Sequence, residues 1–158
     1  MRRKDREISD INEKLDIIKK CKVCRIAMYD GKETYIVPMN FGFSYENEQL
    51  VFYFHSAKEG RKVDILKSGY NQISFEMDCS HSLIEAVSAC GYGYEYESIM
   101  GNGKTVIIDE PDEKIYALNK IMEHQTGKTF IIDGSMSVHV LVFKIIVNSF
   151  TGKHCFIK

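Results

Sequence analysis

The sequence lacks a dominant charge: 21 Lys and Arg face 22 Asp and Glu, a net charge of -1 over 158 residues. Such a chain has no general attraction for nucleic acid or for an anionic membrane, so any anion it binds must be held by a local cluster. It also lacks a run long enough to span a bilayer. The most apolar stretch, Val138 to Val147, is interrupted by His139 and Lys144 and fits a strand. The charged start MRRKDREISD is not followed by an apolar segment, which predicts no secretory signal and a cytoplasmic protein. Five cysteines make an odd count, consistent with reduced thiols. Cys21-x-x-Cys24 has no second ligand pair and runs on into the strand-like Val23 to Met28, so these cysteines read as core or incidental and no metal is assigned. No period repeats and no stretch is of low complexity. No G-x-G-x-x-G follows a strand and opens a helix, which excludes a stable nicotinamide-binding domain.

What is present is an ordinary globular composition, 44% hydrophobic and 27% charged. It predicts one domain over residues 1–158, with residues 1–20 as a helical segment laid on it. Asp10 and Glu13 resemble a capping box ahead of Ile11, Leu15 and Ile18 at helical spacing. Val23 to Tyr29, Asp30-Gly31 and Glu33 to Phe43 read as a hairpin about a tight turn. Pro38 lies inside the second strand and cannot donate to a ladder, so that strand is at an edge or bulged, or it ends there. Ser44 to Gln49 reads as a polar turn. Ile73, Phe75 and Met77 alternate with polar residues, as do Tyr92, Tyr94 and Tyr96, giving two more strands. Cys79 to Cys90 is ambiguous. Gly101 and Gly103 mark a bulge, a turn or the close approach of a backbone or ligand. Pro111 opens a helix that stops near Gly127, and the chain closes on a strand from Val138 with a hairpin return at Thr151-Gly152-Lys153. The total is six to seven antiparallel strands with about three short helices, too few to cover two sheet faces. The predicted fold is mainly β with peripheral α, a small or partly open barrel.

The chemistry gathers in VFYFHSAKEGRK, residues 51–62. A β-branched and aromatic strand delivers His55, Ser56, Lys58, Arg61 and Lys62, all side-chain donors, to the start of a helix that ends at Lys67-Ser68-Gly69. Small Ser56 and Gly60 leave room for an anion to reach the backbone. A phosphate site and a solvated basic turn both fit these residues.

YIVPMNFG, FHSAKEGRK, ESIMGNGK and the helix-end block MEHQTG, in that order, resemble the pyridoxamine 5'-phosphate oxidase-like FMN-binding split barrels, and within them the nitroimidazole-resistance (Nim-type) branch. The resemblance runs from about Ile8 to the last strand. It implies an antiparallel split β-barrel that forms a homodimer, with two FMN molecules at the subunit interface. It assigns the phosphate to Ser56, Arg61 and Lys62 and the flavin ring to Pro38, Met39 and Asn40, with Val37 and Gly60 also among the cofactor-binding residues. His55 and Ala57 fall between, and Ser98 and Asn102 come from the strand beyond or from the partner subunit. His55 is the candidate catalytic residue, as a proton donor or as a positioning group. His124 reads as a helix-end residue. The implied activity is FMN-dependent oxidoreduction: an electron donor such as NAD(P)H and a small acceptor such as a 5-nitroimidazole. The alternative is a protein of the same fold that binds, stores or senses FMN or haem without turnover.

Overall fold

Strand β3 (Thr34–Met39) and strand β4 (Gly42–Glu46) are separated by two residues, yet they sit at opposite ends of the sheet. The computed structural model describes residues 3–156. Its other strands are β1 (Glu7–Ile8), β2 (Cys24–Tyr29), β5 (Gln49–Ser56), β6 (Gln72–Ile84), β7 (Gly93–Ile108) and β8 (Leu141–Cys155), and the sheet runs β3-β2-β6-β7-β8-β5-β4 with β1 added to β8. Every pairing is antiparallel. Laid flat, a path of this many strands would hold its edges roughly 29 Å apart. The link through Asn40 and Phe41 spans at most about 11 Å. The sheet therefore curls into a barrel, and its seam lies between β3 and β4, which are not paired with each other: a split barrel.

Phe41, in that link, is fully buried and packs edge-on against Phe52 at 5.4 Å. Phe52 in turn meets Phe75 at 5.1 Å, and Phe54 stacks on Phe143 at 5.1 Å. These rings, with Ile26, Met28, Met77 and Ile99, fill the barrel. Cys21 and Cys24 belong to the same core, and burial pushes both thiols far up in pKa.

The helices lie outside. In α1 (Ile11–Lys20), Asp10 caps the first turn, its Oδ1 accepting from Asn12 and Glu13 N–H, as the sequence indicated. Helix α2 (Arg61–Lys67) follows β5, and the single turn α4 (Gly134–Ser137) precedes β8. Helix α3 (Pro111–Thr126) begins on its proline and ends at Gly127, whose φ of +70° completes the C-cap. It covers Tyr53, Ile108 and Val142 on the outer side of the sheet.

Four local expectations are corrected. The strand expected over Glu33–Phe43 breaks after Met39: Pro38 can face an open edge, whereas Phe41 is drawn into the core. Ser44 to Glu46 is strand rather than turn, and the turn is Asn47-Glu48, both at positive φ (49° and 64°), as a two-residue hairpin requires. The β2–β3 turn has four residues, organised by Asp30 Oδ1 accepting from the Lys32 and Glu33 N–H groups, with Gly31 at φ +94°. No hairpin forms at Thr151–Lys153. β8 continues through it because β7 pairs it from Cys155 back to Val142, and Gly152 lets Ile8 and Lys14 approach.

Gly101 and Gly103 fulfil one of their options. A Cβ on Gly103 would lie 2.4 Å from the Ile146 carbonyl oxygen, and one on Gly101 would lie 2.5 Å from Phe75 and from the Ser149 carbonyl oxygen, at a register shift between Asn102 and Gly103. They admit neighbouring protein rather than a ligand.

Candidate functional site

Alternation along β5 turns Leu50, Phe52, Phe54 and Ser56 into the barrel and leaves His55 outside, paired with Val142 of β8. Ser56 is buried, and its hydroxyl donates to the Ala57 carbonyl at 2.8 Å. Gly60, at φ +115°, turns the chain into α2, and a Cβ there would meet nothing within 4 Å, so the space beside Gly60 is open. Helix α2 has only seven residues, and its Val63 and Asp64 N–H groups bond back to the Gly60 carbonyl. The charged donors at this helix start are the Arg61 and Lys62 side chains.

Those side chains are positioned by the β2–β3 hairpin. The Nη2 of Arg61 donates to Asp30 Oδ2 at 2.8 Å and to Glu33 Oε1 at 2.6 Å, and its guanidinium lies over the Tyr35 ring, 4.8 Å from the centroid. In the sequence Asp30 reads only as a turn residue, and nothing local marks Glu33 or Tyr35 as part of a site. Their signal was the hairpin itself, which carries them to the start of α2. Val37 and Met39 follow Tyr35 on the same face of β3, about 7 and 13 Å along the strand. Met39 is buried in the core, Val37 is half-buried and Pro38 is exposed. Asn40 is fixed through its amide, which donates to the Lys22 carbonyl at 2.9 Å and to Gln125 at 3.3 Å.

The pKa of His55 is lowered by the protein packed around it and by the charge of Lys62, so the ring is neutral at pH 7. A hollow of about 340 Å³ adjoins its strand pair. Lys58, Lys67, Lys114 and Asp109 line it together with Ile108, Leu141 and Val142, and His55 itself lies outside it. The larger hollow, about 570 Å³ between α1, β4 and α3, contains none of the predicted site residues. It does contain His124, whose Nε2 is hydrogen-bonded to the Cys21 carbonyl at 2.8 Å and whose ring lies 4.6 Å from Phe41. His124 ties α3 to the end of α1 instead of capping its own helix.

In one chain Ser98 and Asn102 lie far from His55, and Asn102 shares a hollow with Tyr29 and Thr34 of the β2–β3 hairpin. His55 pairs with Val142, whereas Asn102 pairs with Ser149 and Ser98 with Lys153, which puts them roughly 23 and 36 Å farther along β8. Asn102 is exposed and donates to Ser149 Oγ at 3.1 Å.

The model of the pyridoxamine 5'-phosphate oxidase family matches residues 10–153. The chain belongs to that family. A solved structure of a candidate 5-nitroimidazole antibiotic resistance protein from Bacteroides thetaiotaomicron is 34% identical, with a TM-score of 0.79, covering 94% of this chain and 86% of that one. A flavocytochrome from Azotobacter vinelandii superposes with a TM-score of 0.78 at 14% identity, over 99% of this chain and 72% of the other. An FAD- and haem-binding protein from Mycobacterium smegmatis does so at 0.79 and 13%, over 94% and 73%. For the latter two the likeness is one of fold. No curated protein matches the sequence. Among the described residues, no helix of this pyridoxamine 5'-phosphate oxidase family member is long and apolar enough to cross a membrane.

Proposed function

We propose that this protein is an FMN-dependent oxidoreductase that reduces small acceptors of the nitroaromatic class. The observation that carries the reading is the 34% identity, over 94% of the chain, to a candidate 5-nitroimidazole resistance protein. The residues present fit the cofactor. Arg61 and Lys62 supply charge-assisted donors beside Gly60, and β3 leads away from Arg61 past Val37 at about 7 Å to Met39 at about 13 Å, positions that bracket the reach of a phosphorylated five-carbon chain. In this reading Arg61, Lys62 and Ser56 hold the phosphate, with Ala57 and Gly60 shaping the loop. Val37 to Asn40 line the ring. When bound, the flavin supplies hydride and electron transfer. The chain's own share is to anchor, orient and shield. Neutral His55 donates a hydrogen bond that orients the acceptor, and the hollow at its strand partner Val142, where Lys58, Lys67 and Lys114 stand with Asp109 around apolar Ile108 and Leu141, suits a flat ring bearing a polar group.

The separation of Ser98 and Asn102 from His55 supports a site completed by a second subunit. So does the exposed outer face of β3-β2-β6-β7. Register aligns Ile36, Ala27, Ser74 and Asn102 in one row and Pro38, Arg25, Glu76 and Met100 in the next, with Ile36 62% and Met100 58% exposed. A homodimer would cover these apolar groups.

Absorbance of the purified protein is the first test: flavin bands support the proposal, a Soret band favours the haem-binding alternative, and a colourless protein that FMN cannot reconstitute refutes it. With flavin bound, stopped-flow reduction by a nicotinamide and reoxidation by a nitroimidazole should both be seen. A flavin that neither reagent touches makes the protein a binder and not an enzyme.

A further inference from the structure

Arg61 is the side chain on which the phosphate subsite depends, and it is already occupied by two carboxylates that differ in kind. Asp30 is part of the turn: its Oδ1 accepts from two backbone N–H groups, at 2.9 Å each, while its Oδ2 accepts from Arg61. The same contacts hold its pKa down to about 2, those backbone bonds contributing most and Arg61 next. The turn therefore anchors the Asp30 carboxylate in place beside Arg61. Glu33 is different. Its backbone is bound into the turn, donating to Asp30 Oδ1 and accepting from the Asp30 N–H, but its side chain is 68% exposed and its carboxylate is held by Arg61 alone among the described residues. Tyr35 fixes the plane of the guanidinium, and among the described residues its Nε and Nη1 donate to no protein acceptor.

We propose that Glu33 is a built-in competitor for the phosphate subsite, its carboxylate holding Arg61 until the phosphate displaces it, while Asp30 stays and orients the guanidinium. This rests on Arg61 as a phosphate ligand. The charges explain the competition. With Asp30 and Glu33 both in place, two carboxylates occupy the Nη2 of Arg61 and offset the positive charge that Arg61 and Lys62 would offer a phosphate, which gains the bidentate edge of Arg61 only once Glu33 has swung into solvent. Glu33 therefore sets how strongly the phosphate, as distinct from the flavin ring, contributes to affinity. An uncharged molecule entering the same groove would not have to move it.

The test is flavin titration of the stripped full-length protein by fluorescence quenching, with FMN and riboflavin as probes, for the wild type, Glu33→Gln, Arg61→Ala and the double variant. Glu33→Gln should tighten FMN about two- to fivefold, the range for an exposed ion pair, and leave riboflavin unchanged. The gain should vanish in the Arg61→Ala background. Unchanged or weaker FMN binding by Glu33→Gln, with Arg61→Ala still weakening FMN, overturns the competitor and spares the phosphate assignment. Equal FMN and riboflavin losses in Arg61→Ala overturn both. Because Glu33 is exposed and glutamine keeps its shape, the melting temperature of the single variant should match the wild type.

Discussion

Glu97 takes the Nζ of Lys20 between its two carboxylate oxygens, at 3.0 and 2.8 Å, across 77 positions of sequence. The pair pins the last residue of α1 to β7, and Ser80 adds a donor at 2.6 Å. Burial alone would raise the Glu97 pKa. The hydrogen bonds from Lys20 and Ser80 outweigh it, and the carboxyl titrates below its ordinary range. A carboxylate depressed in the folded state stabilises the fold above its unfolded pKa and loses that contribution as pH falls through the folded value. Glu97→Gln should therefore flatten the acid limb of the stability curve and cost about 1–2 kcal/mol at neutral pH, a modest figure because Lys20 stays half exposed. Urea unfolding at a series of pH values measures this. Parallel curves for the two proteins would show that the pair contributes nothing.

Gly42 allows α3 to rest on the seam of the barrel. A Cβ there would stand 2.3 Å from the Lys120 carbonyl carbon and 2.4 Å from the Ile121 nitrogen, both backbone atoms that cannot move independently of the helix. Gly42→Ala should destabilise the protein by about 2 kcal/mol or more, either by tilting α3 or by opening the β4 edge. Thermal unfolding against wild type is the measurement, and an unchanged midpoint would mean that α3 packs elsewhere in solution.

Much of this was legible in the sequence wherever a period or a cap fixed it. Ile73, Phe75 and Met77 alternate because one face of β6 is core, Asp10 and Pro111 announce helix starts, and the edge position of β3 is one of the options Pro38 left open. What stayed hidden depends on distant contacts. Phe41 interrupts an apparently continuous strand only because the barrel core draws it in. Nothing near Thr151 reveals that β7 extends β8 past it. At the site, FHSAKEGRK indicated the donors, but the partners of Arg61 lie on another hairpin, 31 and 28 residues away. Local pattern cannot display such pairs.

The outer rows of Ile36 and Met100 lead to a prediction about assembly. Ile36 is on an edge strand and 62% exposed, so a charge there is tolerated by the isolated chain, while in a dimer it would be desolvated without a partner. Ile36→Glu should weaken self-association by about 2 kcal/mol or more, roughly thirtyfold, and reduce flavin retention with it. Analytical ultracentrifugation checks the first effect and absorbance the second. A variant that remains dimeric and fully yellow would place the interface on another face.

His55 and Lys62 offer a test of the chemistry through pH. The environment of His55 lowers its pKa, by burial first and by the Lys62 charge second, so Lys62→Met should move the imidazole midpoint up toward its ordinary value, as followed by NMR of the ring protons. If neutral His55 orients the acceptor, turnover is held at neutral pH and declines as pH falls through the histidine pKa. In Lys62→Met that acid limb shifts upward by the same amount as the NMR midpoint. His55→Gln, which keeps a hydrogen-bond donor and cannot titrate, should retain part of the turnover and lose the acid limb, whereas His55→Ala should lose about tenfold or more. An acid limb that persists unchanged in His55→Gln would assign the titration to another group and remove His55 from the acceptor step.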